Sequence, residues 1–237
     1  MSVRMMAIGA HPDDIEILAA GTLARYRQSG HEVALCILTD GRLGAPSGNP
    51  DDVADTRREE AQAAANLLGA ELFWIGKPDG FLYDDIDTRS AAADAVRAFR
   101  PDVILAHDPN DYHPDHRAAS SIAMSARQLA TAPLFDSDHP SLAGAPAVFY
   151  MDPLGLIGDA PELWVDISET IELKRQMLWC HKSQNEWLQD IDGIDYLAFV
   201  DRQGQMRGLQ CGVSYAEGFR AARTYPVQPA GSGLPAL

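Results

Sequence analysis

The chain has 237 residues, with 19 basic against 34 acidic side chains and a formal charge of −15 at pH 7. That length can bury one sizeable core, and 46% hydrophobic residues is an ordinary globular composition. The acidity argues against nucleic acid or an anionic membrane surface as the main partner, and no apolar run is long enough to span a bilayer.

Residues 5–10 are apolar and continuous, as a strand buried on both faces should be. Ile17, Leu18, Leu23 and Tyr26 then recur at helical spacing, and Gly30 closes that helix. Residues 32–38 are the second predicted strand, followed by Thr39-Asp40-Gly41 and a Gly/Pro/Asn-rich loop running to about Pro50. A helix is predicted over 52–68, a third strand over 71–75, a helix over 87–99 and a fourth strand over 102–106. A further helix runs to Leu129. Beyond it the spacing predicts strands over 147–151 and 163–165, and helices over 168–184 and 215–223. Residues 1–225 are expected to form a single domain, with 226–237, rich in Pro, Gly and Ala, as a poorly ordered tail.

Strands alternating with helices imply a Rossmann-like α/β fold: a mostly parallel sheet flanked by helices. In the common order 3-2-1-4, strands 1 and 4 are neighbours where the winding reverses, and ligands bind outside the carboxyl ends of the strands there. The loops leaving those two strands carry Ala10-His11-Pro12-Asp13-Asp14-Ile15-Glu16 and His113-Pro114-Asp115-His116. Imidazole plus carboxylate suits zinc or a similar divalent ion, so His11, Asp14 and His116 are expected to share one site. Asp13 and Asp14 project in different directions, so one can bind a metal while the other accepts a proton. Asp115 is placed to orient an imidazole. The competing reading is that Asp13 and Asp115 merely cap helices. His107 reads as a polar inner-wall neighbour rather than a ligand, and His181 as a buried hydrogen-bonding group. Strand 1 is not followed by the GxGxxG turn that a dinucleotide-binding protein needs.

Taken together, these motifs resemble the LmbE-like (PIG-L) N-deacetylases. The likeness rests on AHPDDIE after strand 1, HPDH after strand 4 and Thr39-Asp40-Gly41 after strand 2. Thr56-Arg57-Arg58-Glu59-Glu60-Ala61, Pro78-Asp79-Gly80, Val165-Asp166-Ile167-Ser168 and His181-Lys182-Ser183-Gln184 add to it, in order along nearly the whole chain. The resemblance implies a zinc-dependent deacetylase, with Fe2+ as another fitting ion. Its substrate would be an N-acetylglucosamine-type sugar or conjugate; the alternative is an amidase acting on a non-sugar or thiol-conjugate amide. It further implies His11, Asp14 and His116 as metal ligands, Asp13 as general base, and His113, held by Asp115, as acid or electrophile. Arg57 and Asp79 would contact substrate, although Arg57 also reads as a surface residue paired with Glu60. Some relatives carry a tyrosine two residues before the first histidine of the second motif; here that residue is Asp111, and Tyr112 follows it. A homo-oligomer is expected by resemblance. The cysteines Cys36, Cys180 and Cys211 form no CxxC pair, which points to free thiols and a cytoplasmic location.

Overall fold

The computed structural model describes residues 2–193, 195–225 and 234–235. Its strands are β1 (Arg4–Gly9), β2 (Glu32–Thr39), β3 (Glu71–Lys77), β4 (Val103–Ala106), β5 (Ala147–Met151), β6 (Leu163–Asp166) and β7 (Ala216–Ala221). They lie side by side in the order β3-β2-β1-β4-β5-β7-β6. The first five are parallel, and β7 runs antiparallel to both β5 and β6. The helices are α1 (Asp14–Leu18), α2 (Ala20–Gln28), α3 (Pro50–Leu68), α4 (Ile86–Phe99), α5 (Pro114–Leu129), α6 (Ile171–Trp179), α7 (Lys182–Asp192) and α8 (Tyr196–Cys211). Among the described residues no helix is long and apolar enough to cross a membrane.

Alternate residues of the central strands feed two separate cores, which is why these strands are apolar throughout. Met5 and Ala7 of β1 pack with Leu35, Ile37, Val103 and Leu105 beneath the helices on one face. Met6 and Ile8 pack with Ala34, Cys36, Ile104 and Ala106 beneath α4 and α5 on the other. Ile8 pairs with Cys36 on one side and Ala106 on the other. The loops leaving β1, β2 and β4 therefore start at one level, and the winding reverses between β1 and β4 as expected.

The helix termini follow from local chemistry. Asn49 caps α3 by accepting from the Asp51 N–H at 3.0 Å, Pro50 opens the helix, and Gly69 (φ 69°) ends it. Asp85 caps α4 through the Thr88 N–H at 2.8 Å.

Several elements differ from expectation. Residues 215–223, predicted helical, form β7 instead: the Ala-, Glu- and Arg-rich composition suits a helix, but β5 and β6 both offer open edges and the chain completes the sheet between them. The helix predicted over 168–184 is two helices, α6 and α7, separated at Cys180 and His181. The first predicted helix is likewise split into α1 and α2 at Ala19 (φ −144°). Helix α8 has no counterpart among the predicted elements, because Gly204 and Gly208 depress helix propensity in its interior. Both glycines are there for contact: a Cβ on Gly208 would lie 2.6 Å from the Val213 carbonyl oxygen. The expected tail falls outside the described residues apart from Leu234 and Pro235.

Candidate active site

The first cluster begins where β1 ends. Asp13 adopts φ 108° and ψ −27°, a left-handed conformation for a residue with a Cβ, at a cost of about 1–3 kcal/mol. Such a turn persists only if its surroundings hold it, and Arg57 does so from α3. Its guanidinium donates to the Pro12 carbonyl at 2.5 Å, to the Gly41 carbonyl at 3.1 Å and to Asp13 Oδ2 at 3.3 Å. Arg57 is buried, which removes the reading as a surface partner of Glu60; the Glu60 carboxylate instead accepts from Ser183 N–H and Oγ–H. The strained turn aims Asp13 and Asp14 apart while keeping both in one cavity.

Asp14 is the hub. Its Oδ2 lies 3.3 Å from His11 Nδ1 and its Oδ1 lies 3.2 Å from His116 Nε2. The two rings stand 5.3 Å apart between centroids, so residues 105 positions apart in sequence meet around one carboxylate, as expected. His107, fully buried, sits with Nε2 3.1 Å from Asp14 Oδ2 and stacks on His116 at 4.0 Å. It is the inner-wall neighbour that the strand end predicted. His113 caps α5 by accepting the Asp115 N–H on Nδ1 at 3.2 Å, which leaves its Nε2 as the protonated nitrogen of the neutral ring.

The expectation that Asp115 holds His113 needs correction. The Asp115 carboxylate meets His11 Nε2 at 3.3 Å and the Gly80 N–H at 2.8 Å, and only its backbone touches His113. Pro114 starts the helix at His113, and the side chain of the next residue then turns toward β1 rather than back along its own turn. Asp79 Oδ1 also lies 3.3 Å from His11 Nε2, so two carboxylates fix the far edge of that ring. Asp111, noted in the sequence only as a departure, is a supporting residue that sequence reasoning missed. It is buried, and its Oδ2 lies 3.1 Å from His116 Nδ1. A carboxylate on one imidazole nitrogen directs the other toward a cation.

The electrostatics match this arrangement. Burial pulls the His116 ring down, but the carboxylates of Asp14 and Asp111 outweigh it and lift the pKa to about 9. Burial raises Asp14 in turn, but the flanking imidazoles of His116, His107 and His11 overcome this and hold it well below the usual carboxylate range. Burial and the charge of His116 press His113 downward. Burial lifts Asp13 to about 6, held from going further chiefly by Arg57. Tyr196, brought in by α8, points its hydroxyl at Asp13 Oδ2 at 3.5 Å; burial and the carboxylates of Asp13 and Asp14 keep that phenol protonated. His181 is fully buried with Nε2 3.5 Å from Glu16 Oε1, but neither of its ring nitrogens makes a hydrogen bond among the described residues, so it is not the hydrogen-bonding group expected.

The donors suit a divalent ion. Ring nitrogens of His11, His113 and His116 lie within 4.8 Å of one another, and so do ligand atoms of Asp14, His107 and His116. Four imidazoles crowded together cannot all be cationic, and neutral imidazole is the form that ligates. The field of Asp14 and Asp111 that lifts His116 is also the field that a cation needs. A cavity of about 550 Å3 opens above the cluster, within the range of small-molecule sites. His11, Asp13, Asp14, Arg57, Asp79, His113 and His116 all line it. The expected site residues thus meet in one cavity, except Asp115, which stands behind His11.

Fold and site define an α/β protein whose imidazoles and carboxylates gather at the switch point of its sheet. The chain belongs to the PIG-L family: the family model, described as GlcNAc-PI de-N-acetylase, matches residues 6–127. It is 28% identical over 229 residues to the diacetylchitobiose deacetylase of Thermococcus kodakarensis, covering 92% of this chain and 82% of that protein. The crystal structure of the conserved protein TT1542 from Thermus thermophilus superposes with a TM-score of 0.80 at 29% identity, covering 98% of this chain and 99% of that one. The 4-carboxy-2-hydroxymuconate hydratase GalB of Pseudomonas putida superposes with a TM-score of 0.82 at 25% identity, covering 97% and 100%.

Proposed function

We propose that this chain hydrolyses the acetamide of an N-acetylglucosamine-type sugar or sugar conjugate, using a divalent ion, Zn2+ in our reading, held by His11, Asp14 and His116. The observation that carries the reading is the Asp14 carboxylate shared between His11 Nδ1 and His116 Nε2, with Asp13 in the same cavity. When bound, the ion supplies Lewis-acid polarisation of the amide carbonyl and lowers the pKa of water. Asp13, which titrates at about 6, is ionised at neutral pH and takes the proton of the attacking water. His113 donates from Nε2 to the oxyanion as the carbonyl carbon becomes tetrahedral. The C–N bond then breaks, and the proton held by Asp13 passes to the departing amine, giving acetate and a free amino sugar. Asp79 and Arg57 border the path of the sugar hydroxyls. Asp115, Asp79 and Asp111 act by holding the rings of His11 and His116.

The likeness to GalB raises hydration of a tricarboxylate as a second reading. Arg57 is the one Arg or Lys side chain among the described residues lining the cavity, and it is already engaged by Asp13 and two carbonyl oxygens. Asp79 adds negative charge to the same wall. A neutral sugar amide fits this lining better than a tricarboxylate does.

Acetate release from a panel of N-acetylated amino sugars and conjugates tests the reading. Activity on at least one member is expected, with loss on chelation and recovery on adding a divalent ion. A metal-loaded protein that releases no acetate from any member would overturn it.

A further inference from the structure

Burial divides the residues that line the cavity. Asp13, Asp14, Arg57, Asp79, His116 and Gln184 are all buried. Leu43 and Tyr112 line the same cavity yet are 51% and 53% exposed. Side chains that border a cavity and keep half their surface in water stand where it opens. Tyr112 holds its ring 6.1 Å from that of His113 and 6.2 Å from that of His116, so it stands beside the reacting centre. Leu43 lies against Gly80, where a Cβ would come within 3.1 Å of Leu43 Cδ1, and its N–H donates to Asp79 Oδ2 at 3.2 Å. The loop after β3 adds Phe81 and Tyr83, which are 66% and 71% exposed, while Leu82 between them is anchored in the core beneath α4 and α5. The loops leaving β2, β3 and β4 at one end of the sheet thus carry four mostly exposed apolar side chains.

A large apolar side chain left half in water gains free energy when a ligand covers it, and clustered exposed apolar groups mark binding surfaces. Leu43 and Tyr112 belong to the lining of the catalytic cavity, so the ligand that covers them is the one whose amide is attacked there. With the acetamide engaged by the buried donors, what the amino sugar carries beyond its ring is the part left to meet the opening. A second sugar ring suits that position poorly, because Leu43 and Phe81 offer its hydroxyls no hydrogen bond in exchange for water. An anionic lipid surface is disfavoured by the formal charge of −15. We propose that the opening is an aglycone subsite with Leu43 and Tyr112 as its specificity-determining residues, and that the preferred substrate is an N-acetylglucosaminide carrying an apolar aryl or alkyl aglycone. This rests on the amide-hydrolysis reading above and names the substrate class within it. The reaction is unchanged: water's oxygen bonds to the acetyl carbon, the C–N bond breaks, acetate leaves, and the aglycone stays on the amino sugar.

The test compares kcat/KM for acetate release by the metal-loaded enzyme from N-acetylglucosamine, from its methyl, phenyl and octyl glycosides, and from diacetylchitobiose. The phenyl and octyl glycosides are expected to exceed the free sugar and the methyl glycoside by about tenfold or more, from covering the exposed halves of Leu43 and Tyr112. Most of that gain should lie in KM, because contacts away from the amide act on ground state and transition state alike. Leu43→Ser and Tyr112→Ser are each expected to shrink the ratio of phenyl glycoside to free sugar severalfold. A wild-type ratio near one, or a ratio that either variant leaves unchanged, overturns the subsite as assigned and leaves the hydrolase reading intact. Diacetylchitobiose turned over better than the phenyl and octyl glycosides overturns the apolar aglycone. Acetate release from no member overturns the hydrolase reading and the subsite with it.

Discussion

Lys174 offers a test of how the site is anchored from outside. Its ammonium is buried, pairs with the buried carboxylate of Glu217 on β7, and donates to the Ile17 carbonyl of α1 at 2.6 Å. Glu217 also accepts from the N–H groups of Gly21 and Thr22 at 3.0 and 2.7 Å, at the start of α2. Lys174→Met keeps the stem and removes the charge, stranding a carboxylate with two backbone donors. Breaking a buried pair this way costs about 3–5 kcal/mol; the surviving donors place this case near the lower end, at about 3 kcal/mol. With a urea m-value of about 3 kcal/mol/M for a chain of this size, the unfolding midpoint should fall by about 1 M. The double variant Lys174→Met/Glu217→Gln should recover most of the loss, because no unpaired charge remains. Urea titration followed by circular dichroism reads both. An unshifted midpoint in the single variant, or a double variant no better than the single, would refute the idea that this pair joins β7 to α2 and to α1, which carries Asp14.

Asp13→Asn should retain bound metal and lose at least about a hundredfold in kcat, whereas His116→Ala should lose metal and turnover together; metal analysis beside acetate release separates the two. Asp111→Ala is expected to weaken metal affinity by about ten- to a hundredfold, read by competition with a chromogenic chelator, and an unchanged affinity would remove Asp111 from the support of His116. The base works ionised, so kcat/KM should rise with pH through about 6 and level off above it. Arg57→Met removes the charge that restrains Asp13 and should move that limb upward by about one to three pH units; a limb that stays in place argues against their coupling. Gly208→Ala forces a Cβ against the Val213 carbonyl and should cost about 1–3 kcal/mol in thermal or urea unfolding.

The first half of the fold is legible in the sequence because its strands are buried on both faces and its helix ends carry their own chemistry. Met5 to Gly9 can be nothing but a central strand, and Asn49, Pro50 and Gly69 bracket α3 by capping alone. The meeting of His11, Asp14 and His116 follows from strand order, since β1 and β4 have to be neighbours for the winding to reverse. The partner of Asp115 is not legible: sequence spacing places the residue near two rings, and only the path of α5 decides that its carboxylate faces His11. β7 reads as a helix because its residues are good helix formers, and the edges of β5 and β6 that capture it come from distant parts of the chain. Tyr196 gives no signal in the sequence, because α8 itself is hidden by the glycines that let it pack.

The strained turn at Asp13 makes the order of assembly matter. A left-handed aspartate is costly, and the guanidinium that fixes the aim of its carboxylate, that of Arg57, arrives 44 residues later. A nascent or truncated polypeptide that ends before α3 has every donor of the first motif but lacks the guanidinium that holds Asp13. The proton acceptor is therefore armed only once the second strand and its following helix have docked, and any lesion that loosens α3 should disarm it without touching a single ligand.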